Sequence, residues 1–247
     1  MRSSLWILVG ALLLPIAGCS HRAQTAYAPP PPPIAAQQQY PRTAQAAVPS
    51  SDESPDSGVT EAPASQPIYT EVGMASWYGP PYDKRRGANG EIYDQNAVTA
   101  AHRTLPMGSL IRVTNLQTGQ SAMMRITDRG PFVPDRVIDL SEGAAKTVGV
   151  WRPGIARVRI DVYEAPKPIN QGGRWCVQIG AFPHEGTAKK LEEHLAREYE
   201  SASVIEFTGP TGHWVRIRPE NGDKSTAIAI VKNMRLAEGA AYLVRLD

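Results

Sequence analysis

The sequence lacks the residues that would hold a small domain together by disulfides or by a metal ion. Its 247 residues include only two cysteines, Cys19 and Cys176, and its five histidines form no His/Cys pair at metal-ligand spacing. Cys19 ends an N-terminal targeting segment, so Cys176 has no partner for an internal disulfide. We therefore expect each folded unit to depend on its own apolar core, and we expect no metal and no other cofactor.

An excess of charge of either sign is also missing. The formal net charge is +2, from 26 Lys and Arg against 24 Asp and Glu. Acidic and basic residues are balanced in both halves of the sequence after residue 70. Nucleic-acid binding needs a dense positive surface that releases counterions from phosphates. We therefore expect no nucleic-acid partner.

The N-terminus has the pattern of an exported lipoprotein. Arg2 precedes an apolar run at 5–14, which has the length of a signal peptide and is short for a membrane span. Residues 16–18 (Ile-Ala-Gly) then lead directly into Cys19, which resembles the bacterial lipobox. The resemblance implies a signal peptide at 1–18 and acylation of Cys19, and Ser20 after the cysteine implies the outer membrane, facing the periplasm. An ordinary signal peptide followed by a chance cysteine is the alternative.

Residues 19–70 predict a disordered, proline-rich linker. Ten prolines lie between residues 28 and 67, including the run at 29–33, and large apolar side chains are few. Such a segment cannot offset the entropy of ordering. It is expected to be a spacer that is stiff at its proline run and flexible elsewhere. Whether it extends the reach of an anchored head or is a passive linker stays open.

Residues 71–166 predict a small β-barrel. Strand-like runs of apolar and alternating residues lie at 72–78, 109–115, 121–127 and 156–163. Residues 116–119 form a hairpin-turn sequence, and 142–148 fit a short helix capped by Ser141. Many short strands in under a hundred residues indicate a closed barrel.

Seven motifs in this segment resemble, in order, the rare lipoprotein A family of septal lytic transglycosylases. They are GMASWYG at 73–79, ANGE at 88–91, TAAH at 99–102, LP at 105–106, VTN at 113–115, TDRGPF at 127–132 and VIDLS at 137–141. The resemblance implies a six-stranded double-psi β-barrel, a fold shared with expansins and some endoglucanases, and a groove for a polysaccharide. One position departs from the family, which usually has Thr where this chain has Gly87.

Three residues carry the expected chemistry. Cleavage of a glycosidic bond needs a carboxylic acid that delivers a proton to the leaving oxygen. Glu91, in a Gly/Asn loop, is the candidate for this main acid. Asp128 is the candidate for orienting or deprotonating the attacking group, or for stabilising positive charge on the sugar ring. His102 is the candidate for a hydrogen bond to either carboxylate. By resemblance these three match the family's catalytic cluster, with the 6-hydroxyl of muramic acid as the attacking group and a 1,6-anhydro end as the product.

Without the resemblance, other interpretations of the same residues stay open. Asp128 beside Arg129 also fits a turn cap with an ion pair, His102 a structural histidine and Glu91 a solvated surface residue. Asp139 is expected to be structural. Trp77 and Tyr78 alternate along a strand, so only one of them is expected to line the groove. The remaining expected substrate-binding residues of this domain are Tyr78, Asn89, Thr99 and Arg129.

Residues 173–247 predict a ferredoxin-like fold with the order strand, helix, strand, strand, helix, strand. The expected elements are strands at 175–182, 202–207, 212–218 and 241–246 and helices at 185–199 and 226–236, the second capped by Ser225.

The segments WCVQIGAF at 175–182 and WVRIRP at 214–219 resemble a SPOR domain, which implies binding of glycan strands stripped of their peptides. Alternation places Gln178, Trp214 and Arg216 on the sheet face away from the helices, where they are expected to bind glycan, unless they are merely exposed strand residues. The family usually has Gly where Arg218 stands, and Cys176 is expected to be an inert thiol.

Together these features predict an endolytic lytic transglycosylase that cleaves MurNAc–GlcNAc bonds of denuded peptidoglycan at the division septum. Peptidoglycan, the membrane and cell-division proteins are its expected partners. The alternative is a non-catalytic, expansin-like lipoprotein that binds and loosens glycan. A structural tether acting through the SPOR domain alone is the third hypothesis, and the presence of Glu91, His102 and Asp128 together argues against it.

Overall fold

A computed structural model describes residues 66–80, 82–200, 203–209 and 211–247. The predicted signal peptide, the lipidated Cys19 and nearly all of the proline-rich linker lie outside the described residues. In the described part, no helix is both long and apolar enough to cross a membrane.

The first domain is a closed barrel of six strands with one short helix. The order around the barrel is β1-β5-β2-β4-β3-β6, with β1/β5 and β2/β4 parallel and the other pairs antiparallel. This confirms the predicted six-stranded barrel. The elements are β1 Tyr69–Tyr78, β2 Thr99–His102, β3 Leu110–Asn115, β4 Ser121–Asp128, β5 Arg136–Ser141, α1 Glu142–Thr147 and β6 Ala156–Glu164.

Alternating apolar side chains fill the barrel. Ile111 and Val113 of β3 and Val158, Ile160 and Val162 of β6 are fully buried, while Arg112 and Arg159 between them are partly exposed. The β3–β4 hairpin closes where Gly119 donates its backbone N–H to Asn115 (2.8 Å), as the turn sequence predicts. The alternation visible in the sequence is therefore the inward-outward alternation of a barrel wall.

The α1 helix begins as predicted. The hydroxyl of Ser141 accepts the backbone N–H of Ala144 at 3.1 Å, which satisfies one of the free donors of the first turn. Ala144 and Ala145 are buried and pack against the barrel core. The helix thus covers one end of the barrel through its smallest side chains.

The second domain is a four-stranded antiparallel sheet with two helices, in the ferredoxin-like strand order β10-β7-β9-β8. Its elements are β7 Trp175–Phe182, α2 Glu185–Glu198, β8 Ser203–Gly209, β9 Gly212–Arg218, α3 Lys224–Asn233 and β10 Ala240–Arg245. Val177, Ile179, Val215 and Ile217 form the core beneath the helices. The opposite face of the sheet carries the residues between them.

The predicted cap of the second helix is wrong by two residues. Asp223, not Ser225, is the N-cap, and its carboxylate accepts the backbone N–H of Thr226 at 2.6 Å. Ser225 donates its hydroxyl to the same carboxylate at 2.7 Å. An aspartate there completes the cap with a full negative charge at the positive end of the helix, which favours the earlier start at Lys224.

The two domains pack against each other through an apolar contact. Phe132, in the loop after β4, meets Trp214 at 5.3 Å and Tyr242 at 5.7 Å between ring centroids, both edge-on. It also packs on the small cluster formed by Cys176, Tyr242 and Val244. The barrel therefore covers part of the helix-free face of the sheet.

Polar contacts at the chain terminus reinforce this packing. Arg245 donates its backbone N–H to the carbonyl of Arg103 at 3.0 Å, and the Asp247 carbonyl accepts from the Arg129 guanidinium at 2.9 Å and from the Met107 backbone at 3.3 Å. The segment from Arg245 to Asp247 is thus joined to the barrel by three hydrogen bonds.

Candidate functional site

The loop that carries Glu91 is folded tightly on itself. Asn89 accepts the backbone N–H of Glu91 at 2.9 Å and donates its side-chain amide to the Glu91 carboxylate at 2.7 Å. Gly87 donates its backbone N–H to the carbonyl of Glu91 at 2.8 Å. Gly90 has a φ of 89°, a conformation that favours glycine. The local sequence Asn-Gly-Glu therefore fixes an exposed carboxylate at the tip of a rigid loop.

Asp128 joins this loop to the end of β4. Its Oδ1 accepts backbone N–H groups from Ala88 (2.9 Å) and Arg129 (2.8 Å), and Asn89 donates its N–H to the carbonyl of Thr127 (3.2 Å). Burial raises the pKa of Asp128 above its ordinary value, although the two N–H donors oppose this shift. The structure thus brings Asp128 and the Glu91 loop together.

Asp139 lies in the same cleft as Asp128. Its Oδ1 accepts the hydroxyl of Ser76 at 2.9 Å, and Arg136 lies 3.5 Å from its other oxygen. Burial raises its pKa despite the nearby guanidinium. Sequence reasoning treated Asp139 as structural, and its hydrogen bonds fit that role, but the structure also places it in the lining of the cleft. The sequence feature that could have indicated this position is a charged residue inside an otherwise apolar strand.

Tyr78 provides an aromatic wall beside the two aspartates. Its ring stacks on Tyr93 at 4.5 Å and meets Tyr82 edge-on at 5.7 Å. Burial, together with the negative charge of Asp128, raises the pKa of Tyr78, so its hydroxyl stays protonated. Trp77 packs against the barrel core instead. The prediction that only one of these two aromatics lines the groove is confirmed.

His102 lies apart from Glu91 and Asp128. Its Nδ1 accepts backbone N–H groups from Thr104 (3.2 Å) and Leu105 (3.0 Å), so its Nε2 carries the proton and donates to Glu71 at 3.2 Å. Burial lowers the pKa of His102 and keeps it neutral. The expected hydrogen bond to Glu91 or Asp128 is therefore wrong, because both ring nitrogens are already engaged by the turn and by Glu71.

Two expected substrate-binding residues have structural contacts. Arg129 donates to the carbonyls of His102 (3.0 Å), Leu105 (2.8 Å) and Asp247, and burial lowers its pKa to about 10. Thr99 donates its backbone N–H to the hydroxyl of Ser141 at 3.2 Å. Arg129 therefore holds the turn after His102 and the chain terminus in place beside Asp128.

The helix-free face of the second domain carries the three residues expected there. Arg216 donates to the side-chain oxygen of Gln178 at 2.7 Å and lies 4.7 Å over the ring of Phe207. Trp214 lies on the same face, on the strand of Arg216, so the predicted alternation is confirmed. Cys176 on this face is buried, and burial raises its pKa, which makes its thiol a poor nucleophile.

A cleft of ≈ 1020 Å³ separates the two domains. Its lining includes Asp128, Asp139 and Tyr78 from the barrel and Gln178, Trp214 and Arg216 from the sheet. Gly87 and Ala88 of the Glu91 loop also contribute, while the Glu91 side chain is exposed beside them. Carboxyl groups of raised pKa next to aromatic and amide side chains suit a polar polymer of sugar rings.

Comparison with known proteins matches each of the two domains to a family. Residues 70–160 match the family described as "Lytic transglycolase", and residues 171–245 match the SPOR domain. "Endolytic peptidoglycan transglycosylase RlpA" of Vibrio cholerae is 38% identical over 186 residues, which are 72% of this chain and 70% of that protein. The Pseudomonas aeruginosa protein of the same name (strain UCBPP-PA14) is 39% identical over 177 residues, 71% of this chain and 50% of its own length. Among solved structures, apo expansin of Clavibacter michiganensis aligns with 61% of this chain and 80% of its own, at 15% identity and a TM-score of 0.34.

A lytic-transglycolase barrel joined to a SPOR domain defines the class of this protein. The similarity to the Vibrio cholerae protein extends over more than two thirds of both chains. The chain therefore belongs to the rare lipoprotein A (RlpA) family. It spans half the length of the Pseudomonas relative and 61% of the one from Campylobacter jejuni.

Proposed function

We propose that the chain is an endolytic lytic transglycosylase that cleaves MurNAc–GlcNAc bonds in peptidoglycan and leaves 1,6-anhydroMurNAc ends. The observation that carries this proposal is the hydrogen bond from Ala88 to Asp128, which holds the loop that carries Glu91 next to a carboxyl group of the cleft lining. The names of the relatives agree with it.

The reaction needs one carboxyl group that donates a proton and one carboxylate that accepts a proton. A protonated carboxyl donates its proton to the glycosidic oxygen as the bond from that oxygen to C1 of MurNAc breaks. The 6-hydroxyl of the same MurNAc forms the new bond to C1, and its proton passes to a carboxylate. No water is consumed, and the GlcNAc leaves with a free 4-hydroxyl.

Glu91 and Asp128 have different environments for these roles. Asp128 is half-buried, and burial raises its pKa above the ordinary value. Glu91 is exposed, and a glycan strand bound over the loop would shield its carboxyl group from water. We assign proton donation to Glu91 in the bound state. Asp128, as the carboxylate, accepts the proton of the 6-hydroxyl and stabilises positive charge that develops on the sugar ring.

His102 contributes by positioning. It fixes the turn from which the carbonyls of His102 and Leu105 hold the Arg129 guanidinium. Arg129 in turn donates its backbone N–H to Asp128. A substitution at His102 is therefore expected to disturb Asp128 indirectly, through the turn at Leu105 and through Arg129.

The cellular setting is part of the proposal. The lipobox-like residues before Cys19 support a lipid anchor in the outer membrane with the domains in the periplasm. The SPOR match supports recruitment to denuded glycan strands at the division septum, where cell-division proteins are candidate partners. Asn89, Thr99 and Tyr78 are proposed to contact sugar on the barrel side.

Digestion of purified sacculi tests the activity. Wild-type protein is incubated with intact and amidase-treated sacculi, and soluble products are identified by mass spectrometry. Anhydro-ended glycans from the amidase-treated sample, lost in Glu91→Gln and kept in Glu164→Gln, would support the enzyme. Glu164 is an exposed residue at the end of β6 and serves as the matched control. Glycan binding without product release would instead favour the expansin-like alternative.

A further inference from the structure

The outer face of the SPOR sheet does not open freely to solvent in this structure. Only 4% of Gln178 and 5% of Trp214 is exposed. The helices cover the opposite face, and the barrel covers this one through Phe132. A glycan strand that reaches Gln178 or Trp214 must therefore enter the cleft between the domains.

Asp128 and the loop that carries Glu91 border that same cleft, to which the loop contributes Gly87 and Ala88. Asp128 and Asp139 lie on the barrel wall, and Gln178, Trp214 and Arg216 lie on the sheet wall. The cleft volume of ≈ 1020 Å³ is at the upper end of the range of about 300–1,000 Å³ that is typical of ligand sites. The space is thus large enough for several sugar rings lying between the walls.

Both walls contain buried polar atoms that lack a partner. Within the described residues, the hydroxyl of Tyr78 and the Nε of Arg136 on the barrel wall, and the Nε of Arg216 on the sheet wall, have no hydrogen-bond partner. Unpaired buried donors are costly, and native proteins usually satisfy them. Sugar hydroxyl groups, which both donate and accept, would satisfy these donors once a small shift of the side chains turns them toward the cleft.

We propose that one glycan strand binds both walls simultaneously, so that Gln178, Trp214 and Arg216 are subsites of the cleavage site and not a separate anchor. This inference rests on the proposed function for the identity of the polymer. Under this arrangement the SPOR domain selects the stretch of glycan that is cut. Two independent domains would each hold their own stretch of strand, joined only by the chain.

Calorimetric titration of the full chain with short denuded peptidoglycan oligosaccharides tests the shared site. Asp128→Asn in all samples prevents turnover. We expect one glycan per chain, and Kd weakened about tenfold by Tyr78→Phe on one wall and by Arg216→Gln on the other, since each removes a buried donor. Arg197→Gln on α2, which packs against the opposite face of the sheet, is the matched control and leaves Kd unchanged. Gln178→Ala is a second sheet-wall variant in case Arg216→Gln misfolds.

Several results would overturn the shared site. These are two glycans per chain, loss of binding in Arg216→Gln with no effect of Tyr78→Phe, or no glycan binding at all. Because binding is measured without cleavage, the two proposals fail separately. One glycan held by both walls in a protein that makes no anhydro ends would overturn only the proposed activity, and two independent sites in a cleaving protein would overturn only the shared site.

Discussion

Asp128 accepts a hydrogen bond at 2.9 Å from the backbone amide of Ala88, forty residues earlier in the chain. This bond makes the position of the Glu91 loop depend on a half-buried carboxyl group at the end of β4. It also explains why Glu91, an exposed glutamate, belongs to a defined site. Asp128 therefore helps to fix the position of the loop that carries Glu91.

Replacement of Asp128 separates its chemical and structural roles. Asp128→Asn keeps an oxygen that accepts from Ala88 and Arg129, so the loop should stay in place and the melting temperature should change little. Loss of the ionisable group should lower turnover of denuded glycan by about 10²–10⁴-fold. Asp128→Ala should lose turnover and also lower the melting temperature. Equal melting temperatures for the Ala and Asn variants would contradict the proposed loop contact.

The pH dependence of stability should reveal the burial of Asp128. Its pKa is raised on folding, so the folded protein holds the proton more tightly than the unfolded chain. This contribution to stability is present at low pH and is lost as pH rises from about 3.8, the ordinary value, through the raised folded pKa. Asp128→Asn should therefore gain stability relative to wild type as pH increases over that window, measured by urea unfolding. A difference that is constant with pH would exclude the raised pKa.

The contribution of His102 to stability should depend on pH with the opposite sign. Burial lowers its pKa from 6.5, so the stability due to the neutral ring is lost as pH falls below about 6.5 toward the folded pKa. His102→Asn retains an acceptor for the Leu105 amide and removes the titrating ring. It should unfold with a shallower loss of stability between neutral and mildly acidic pH. A wild-type slope in this variant would show that another group carries the dependence.

Two glycines of the Glu91 loop should respond differently to substitution. A Cβ at Gly87 would lie 3.4 Å from the side-chain oxygen of Asn89 and 3.7 Å from Cγ of Asp128, so Gly87→Thr should be accommodated. It should leave stability unchanged or raise it by about 0.4–1 kcal/mol, because it restricts the unfolded chain. Gly90→Ala, at a φ of 89°, should destabilise by about 1 kcal/mol. Thermal unfolding of both variants checks the difference, and the reverse ranking would contradict the loop conformation.

Thiol labelling of Cys176 should report the domain contact. Cys176 is fully buried in a cluster on which Phe132 packs. In a Cys19→Ser background, Phe132→Ala should raise the labelling rate about tenfold or more, because it removes the aromatic cover between the domains. Leu116→Ala, at an exposed barrel position, is the control. An unchanged rate in Phe132→Ala would show that the two domains do not depend on this contact.

Much of the fold follows from local patterns in the sequence. Strands β7 and β9 begin and end where alternation predicts, and Ser141 caps α1 as expected. Strand β2 was not predicted because its four residues include two adjacent alanines and three buried side chains, so it has no alternating pattern. Strand β5 was missed because Asp139 interrupts its apolar residues.

The site was only partly predictable. The Asn-Gly-Glu loop and the outward position of Gln178 follow from local sequence, whereas the partner of His102 lies on β1, at Glu71, and depends on the way the barrel closes. The packing of Phe132 on the SPOR sheet joins residues of two domains. No periodicity within either segment contains that information.

Product analysis of amidase-treated sacculi tests the catalytic proposal most directly. Wild type, Glu91→Gln, Asp128→Asn and Glu164→Gln are compared for release of 1,6-anhydroMurNAc-ended glycans by mass spectrometry. We predict release by wild type and Glu164→Gln, and loss in the two variants of the paired carboxyl groups. Release by Glu91→Gln at the wild-type rate, or no release by wild type, would contradict it.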